Sequence, residues 1–329
     1  MKEEDIRRDS HLREVAKLHS EDVKEIIKSE PSFVHVNCPA CGNDSSIFLH
    51  QKEGFSFDKC TNCQTVFINP RPSEMLLKDF YSNSKSMRYW NDVIFPETEE
   101  KREKLLFQER VNRIISFICK YNIPTNTLMD VGAGFGTFCF SMQKEGLFES
   151  VIAVESSKKL ALSCKNRGIN TIARPIEEVE IEKADVITSF EVIEHLYDPI
   201  KFVKSCYKTL SRNGLLILTT PNVRGFELSM LKTLSPNYGG PDHLNYYHPK
   251  SLQLLVENNG FKTLEILTPG KLDVELVRKK ILNKELVMNE NWFLEDILVN
   301  QYEKMGEAFQ KFIVQNHLSS HMWIIAQKF

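Results

Sequence analysis
Nowhere in the 329 residues does an apolar run approach the length of a membrane span. The first residues, MKEEDIRRDSHLREV, lack the apolar core of a secretory signal. A one-sided charge is also missing: 42 Lys and Arg stand against 44 Asp and Glu, a net charge of -2. No general electrostatic pull toward nucleic acid or an anionic membrane follows from that balance. Internal repeats and low-complexity tracts are absent too, which sets repeat architectures aside. These absences lead to the expectation of a soluble, cytoplasmic protein. At 42% hydrophobic and 26% charged, the chain has the composition of a folded protein with one large domain and a small one, or two medium ones.

The pattern along the chain divides it into four stretches. Residues 1–33 form a helical extension, with Leu12, Val15, Leu18, Val23, Ile26 and Ile27 at roughly helical spacing. Residues 34–72 read as short strands punctuated by Cys, Pro, Gly and Asn. Residues 73–126 read as a helical connector or lid, with Val111, Ile114, Ile115 and Ile118 on one face. In residues 127–329 strands alternate with helices: TLMDV, SVIAVES, NTIARP, ADVITSF, LLILTTP and KTLEIL, then a final apolar run, HMWIIAQKF. A charged helical insertion at about 271–317 precedes that last strand. Such alternation predicts an α/β fold, a Rossmann-like seven-stranded, mostly parallel sheet with helices on both faces, plus a small N-terminal ribbon and helical additions.

The eight cysteines, met in a reducing compartment, point to metal before disulfides. CPAC carries Cys38 and Cys41, and CTNC carries Cys60 and Cys63. Two such pairs supply four thiolates for a tetrahedral zinc. With every position filled by protein, none is left for water or substrate, so the expected zinc is structural. Cys119, Cys139, Cys164 and Cys206 sit in apolar or helical contexts and read as core residues.

LMDVGAGFGTF follows the first strand of the alternating region and precedes a helix. Its glycines are Gly132, Gly134 and Gly136, preceded by Asp130, and no lysine follows them, which weakens a triphosphate-binding loop. The next strand ends in Glu155, with Ser156 beside it, where an acid can hold a ribose diol. A ligand with a ribose, no phosphate and a cationic amino-acid end suits this loop, and S-adenosylmethionine has those features. Asp130 would organise the loop or reach the amino group. Ile176 and Glu177 are placed to flank and hydrogen-bond an adenine, while Phe190 and Glu191 end the fourth strand at the same crevice.

Together, DVGAGFG, ADVITSFEVIEHLYDP and NGLLILTTPN resemble the class I S-adenosylmethionine-dependent methyltransferases over residues 127–268. The segment CPACG…KCTNCQTVFINPRPS resembles the zinc-binding front of bacterial methyltransferases of that group, some of which modify nucleotide-linked sugars. In the zinc-bearing sugar methyltransferases an acid–His pair after strand five lies at the substrate. Asp242 and His243 match it, with Asp in place of Glu, and His195 falls where that group has a second His.

The resemblance implies methyl transfer to a hydroxyl or carbon of a small molecule, a sugar or nucleotide-linked sugar being the expected acceptor. Displacement at a sulfonium is mainly a matter of alignment, but a neutral acceptor also needs a base, and His suits that near neutral pH. His243 beside Asp242 is the first candidate and His195 the second, with Tyr246 and Tyr247 expected along the acceptor pocket. His248, before Pro249, reads as a helix start. An RNA methyltransferase and a non-catalytic relative are the alternatives. Residues 36–72 argue against RNA, since Lys52, Lys59 and Arg71 are offset by Asp44, Glu53 and Asp58. The helical additions are open to use as a homodimer face, a lid or a substrate wall.

Overall fold
The computed structural model describes residues 3–179, 183–288 and 291–329. In chain order, α1 (Asp9–Ile27) precedes three strands, β1 (Ser46–Lys52), β2 (Phe55–Cys60) and β3 (Val66–Ile68). Helices α2 (Glu74–Asn83), α3 (Lys85–Tyr89), α4 (Phe95–Arg102) and α5 (Gln108–Tyr121) follow, with five-residue π-helical turns at Trp90–Ile94 and Glu103–Phe107. The alternating region runs β4 (Thr127–Val131), α6 (Thr137–Lys144), β5 (Ser150–Val154), α7 (Lys158–Asn166), β6 (Asn170–Ile172), β7 (Ala184–Phe190), α8 (Pro199–Thr209) and β8 (Leu210–Pro221). The remainder is α9 (Phe226–Leu231), β9 (Asn245–Tyr246), α10 (Pro249–Glu257), β10 (Phe261–Leu267), α11 (Asp273–Leu282), α12 (Trp292–Glu295), α13 (Tyr302–Gln315) and β11 (His321–Lys328).

By compactness the chain forms two units: Met1–Glu97 with Pro221–Ser251 and Leu267–Met322, and Thr98–Thr220 with Leu252–Ile266 and Trp323–Phe329. The second unit holds the seven-stranded sheet, ordered β10-β11-β8-β7-β4-β5-β6. The pairings β4–β5, β4–β7, β5–β6 and β7–β8 are parallel. All seven residues of β7 are buried, as expected of a strand covered on both faces. Between β4 and β7 the order of connection reverses, so the crevice at their carboxyl ends is the place where such sheets bind ligands. Local chemistry sets the crossovers. Asp198 caps α8 by accepting from the Lys201 N–H at 2.9 Å, with Pro199 in the first turn. Thus the DP of EHLYDP is a helix start.

The first unit contains a four-stranded antiparallel sheet, ordered β1-β2-β3-β9. Its fourth strand comes from far along the chain: Val66 pairs with Tyr246 and Phe67 with Asn245. A separate apolar cluster of Leu231, Val274, Val277, Ile297, Leu298 and Ile313 holds the helical insertion together. Helix α1 is fixed by buried Asp22, whose carboxylate accepts from the N–H groups of Lys85 and Ser86 and the hydroxyls of Ser84 and Ser86.

Candidate functional site
In the sheet unit, the turn from β4 to α6 carries its three glycines in the left-handed region, at φ +76° for Gly132, +58° for Gly134 and +77° for Gly136. Two of them also make room for packing. A Cβ on Gly132 would lie 2.5 Å from Val192 Cγ2, and one on Gly136 2.7 Å from Ile169 Cδ1. Gly134 has no heavy atom within 4 Å of that position, so its backbone borders open space. Glu155, at the end of β5, is 6% exposed. One carboxylate oxygen accepts from the Gly134 N–H at 2.9 Å and the other from the Ser157 N–H at 2.8 Å. Burial raises its pKa against the pull of those backbone donors. Two acceptor positions of roughly four are thereby used, which leaves capacity for a diol. Ser156 beside it is exposed.

Asp130 faces inward at 3% exposure and accepts from Thr188 Oγ1 at 2.7 Å. Burial pushes its carboxyl up to about 7, opposed by that hydrogen bond and the Arg110 charge. It ties β4 to β7. Ile176 is buried, so its side chain serves packing rather than an exposed shelf, and burial raises the pKa of half-buried Glu177 beside it. Phe190 packs edge-to-face on Phe138 at 4.8 Å and on Trp323 at 5.7 Å. Glu191 adopts φ +54°, a conformation that non-glycine residues take mainly at constrained sites, and accepts from Thr219 Oγ1 at 2.5 Å. Sequence reasoning missed Arg110, whose guanidinium carbon sits 4.5 Å from the Phe190 ring centroid. No spacing in the sequence connects position 110 with position 190.

His195 lies on the turn after β7, half-buried, its backbone N–H donating to Val192 O at 2.9 Å. Its Nε2 is 3.9 Å from Glu194 Oε1, and buried Glu194 accepts from Thr220 Oγ1 at 2.9 Å. That acid is therefore held inside the sheet edge.

In the other unit, the loop 237–248 is held from several sides. Asp242 Oδ1 is 3.3 Å from His19 Nε2 on α1, a partner the sequence did not suggest. Burial by itself would lower the His19 pKa, but the Asp242 hydrogen bond and the charges of Asp242, Glu53 and Asp22 outweigh it and raise the value. His243 Nδ1 lies 3.0 Å from Asn237 O. Lys52 Nζ donates to the carbonyls of Ser235 and Tyr238. Tyr246 and Tyr247 differ from the expectation of a pocket wall: they are 2% and 0% exposed. The Tyr246 hydroxyl donates to Gly239 O and accepts from the Gly239 N–H, both at 2.9 Å, and its ring packs 4.5 Å from that of Tyr238. A side chain with almost no exposed surface packs the ribbon sheet instead. His248 opens α10, and its Nε2 lies 3.0 Å from Cys63 O.

Cys38, Cys41, Cys60 and Cys63 converge, their four sulfurs within 4.8 Å of one another. Cys38 and Cys63 sulfurs are 3.4 Å apart, and those of Cys41 and Cys60 3.6 Å. A tetrahedral zinc with bonds of about 2.3 Å sets its sulfurs roughly 3.8 Å apart, so the set fits that ion. Each pair sits in the same tight turn. The Gly42 N–H donates to Cys38 O and the Gln64 N–H to Cys60 O, with φ +74° at Gly42 and +62° at Gln64.

Residues 99–266, just over half of the chain, match the family described as a methyltransferase domain. The chain is similar to the ubiquinone biosynthesis O-methyltransferases of Coxiella burnetii and Bradyrhizobium diazoefficiens. The first is 28% identical over 154 residues, covering 42% of this chain and 64% of that protein. The second is 28% identical over 159 residues, covering 46% of this chain and 58% of that protein. The chain thus spans less than two thirds of the length of either relative. The crystal structure of magnesium protoporphyrin IX methyltransferase from Synechocystis, with bound SAH, superposes with a TM-score of 0.50 at 13% identity, covering 78% of this chain and all of that one. At that identity the likeness concerns the fold.

Proposed function
The chain belongs to the class I S-adenosylmethionine-dependent methyltransferases, and from that membership we propose that it transfers the donor's methyl group to a hydroxyl of a small molecule. The observation that carries this reading is Glu155 at the end of β5, bonded to the open, left-handed Gly134 within the matched residues. Glu155 would hold the ribose diol and Gly134 would let the loop backbone approach, while Asp130 keeps the loop in register with β7. When bound, S-adenosylmethionine supplies an electrophilic methyl on a sulfonium. The O-methyltransferase names of the two relatives favour an oxygen acceptor, and the cysteine ribbon's resemblance favours a sugar or nucleotide-linked sugar. His243 with Asp242, and separately His195, are the proposed proton acceptors for that hydroxyl. Cys38, Cys41, Cys60 and Cys63 would hold a structural zinc.

Transfer of radiolabelled methyl from S-adenosylmethionine to a panel of nucleotide sugars and phenols tests the reading. The parent is expected to methylate one class. His243→Ala should cut turnover by about 10²-fold or more while cofactor affinity stays within twofold. Unchanged turnover in both His243→Ala and His195→Ala would remove the base assignment. Lack of transfer to any hydroxyl would remove the acceptor class.

A further inference from the structure
Within the first unit, helix α1 reaches the loop that carries Asp242 and His243. His19 Nε2 lies 3.3 Å from Asp242 Oδ1, with both side chains partly buried. Helix α1 and its histidine lie outside residues 99–266, which match the family, whereas Asp242 and His243 lie inside them. A partly exposed pair of this kind adds little to stability, so its consequence is where it places Asp242.

The helix is itself fastened elsewhere. Asp22, three residues beyond His19 and on the same face of α1, is buried. It accepts from the Lys85 and Ser86 N–H groups and the Ser84 and Ser86 hydroxyls, at 2.6 to 3.0 Å. One residue of that face therefore fixes α1 to the start of α3, and the other holds the loop. On the loop, Tyr81 of α2 donates to Asp242 O at 3.2 Å, and His243 Nδ1 lies 3.0 Å from Asn237 O. A carbonyl only accepts, so Nδ1 of His243 carries its proton and the lone pair of the neutral ring falls on Nε2. That is the tautomer a base needs, and it depends on the loop keeping residues 237 and 243 together.

The charges support the contact. Burial pushes the His19 pKa down, but the Asp242 hydrogen bond and the charges of Asp242, Glu53 and Asp22 raise it above its ordinary value. Lys52 also faces Asp242 and Glu53, with its own pKa lowered by burial. More of the His19 ring is thus imidazolium near neutral pH than of a free histidine, and its bond to Asp242 is charge-assisted.

We propose that His19 is a positioning residue, which holds the Asp242 carboxylate against α1 and thereby keeps His243 bonded to Asn237 O with Nε2 as its basic nitrogen. The inference rests on the assignment of His243 as a proton acceptor made above.

Long-range ¹⁵N–¹H spectra of the histidine rings test it on the full chain, without knowledge of the acceptor. In the parent at about pH 8, His243 should carry its proton on Nδ1. In His19→Ala it should shift toward the Nε2–H form that an unconstrained imidazole favours. His19→Gln keeps an N–H donor near the same place and should restore the parent signal. His248, whose Nε2 lies 3.0 Å from Cys63 O, should keep its own signal in both variants and so reports that the unit is folded. With the acceptor that the panel above identifies, His19→Ala should lower turnover by about 10-fold and leave the KM for S-adenosylmethionine within about twofold, and His19→Gln should recover the rate. An unchanged His243 ring in His19→Ala would overturn the positioning role whatever the turnover. A His248 signal that changes along with His243 would make His19 a packing residue of the whole unit, which overturns it too. Equal turnover in His243→Ala and the parent would instead remove the base reading, and this inference with it.

Discussion

Glu227 on α9 is a carboxyl group placed where water does not reach. It is 3% exposed and accepts from Ser235 Oγ at 2.6 Å. Burial pushes its pKa up to about 7 and Asp273 adds to the effect, while the Ser235 hydrogen bond and Arg7 oppose it. The sign follows directly. A folded state that holds the proton more tightly than the unfolded chain loses stability as pH rises from the unfolded value near 4.5 toward 7. Glu227→Gln keeps the acceptor and removes the ionisation. Its stability relative to the parent should therefore rise between pH 5 and pH 8, by about 1–3 kcal/mol at pH 8, and show as a higher relative melting temperature. A difference that does not change with pH would show that Glu227 is not held protonated. In the sheet unit, Gly132 and Gly134 look equivalent in the sequence. Only the neighbours of each, Val192 for the first and open space for the second, separate a packing glycine from one whose backbone is accessible.

At the scale of elements, the cysteine ribbon joins residues far apart in sequence. Strand β3 has three residues and β9 two, so half of this small sheet is short and a further tie would steady it. A zinc held by the four cysteines would be that tie, and the His248 contact with Cys63 O extends it to the start of α10. Elemental analysis should find one zinc per chain. Cys60→Ser, or chelation at elevated temperature, should release it and expose amides of β2, β3 and β9 to hydrogen exchange. Full zinc occupancy in the serine variant, or unchanged exchange after metal loss, would contradict a structural ion. The same loop brings Asp242 to His19, so α1, which reads in the sequence only as a helical extension, bears on the position of the carboxylate proposed to assist His243.

For the whole molecule, the donor's effect is a matter of linkage. A ligand that binds only the folded chain stabilises it by about 2.7 kcal/mol at 100 times its Kd. For a chain of this size that corresponds to a rise in Tm of roughly 4 °C. S-adenosylhomocysteine should produce it in a thermal shift measurement, ATP should not, and Glu155→Ala should abolish it. An equal response to ATP would point to a phosphate-binding loop instead.

What the sequence determined by itself is local in origin. Strand and helix periods, the His248–Pro249 helix start, the glycine loop followed by Glu155, and the paired CxxC knuckles each depend on residues close together along the chain. They sufficed for the α/β class, the cofactor family and the four cysteines. The tertiary structure decided what distant segments bring to one another. Tyr246 and Tyr247 lie in a polar, loop-like stretch, yet β3 draws that stretch into the ribbon sheet and buries both rings. Arg110 is one charge among many on an amphipathic helix until folding sets it over Phe190, eighty positions later, and beside two acids. Such contacts depend on how packed elements close over long loops, and a pattern of neighbours along the chain carries no record of that closure.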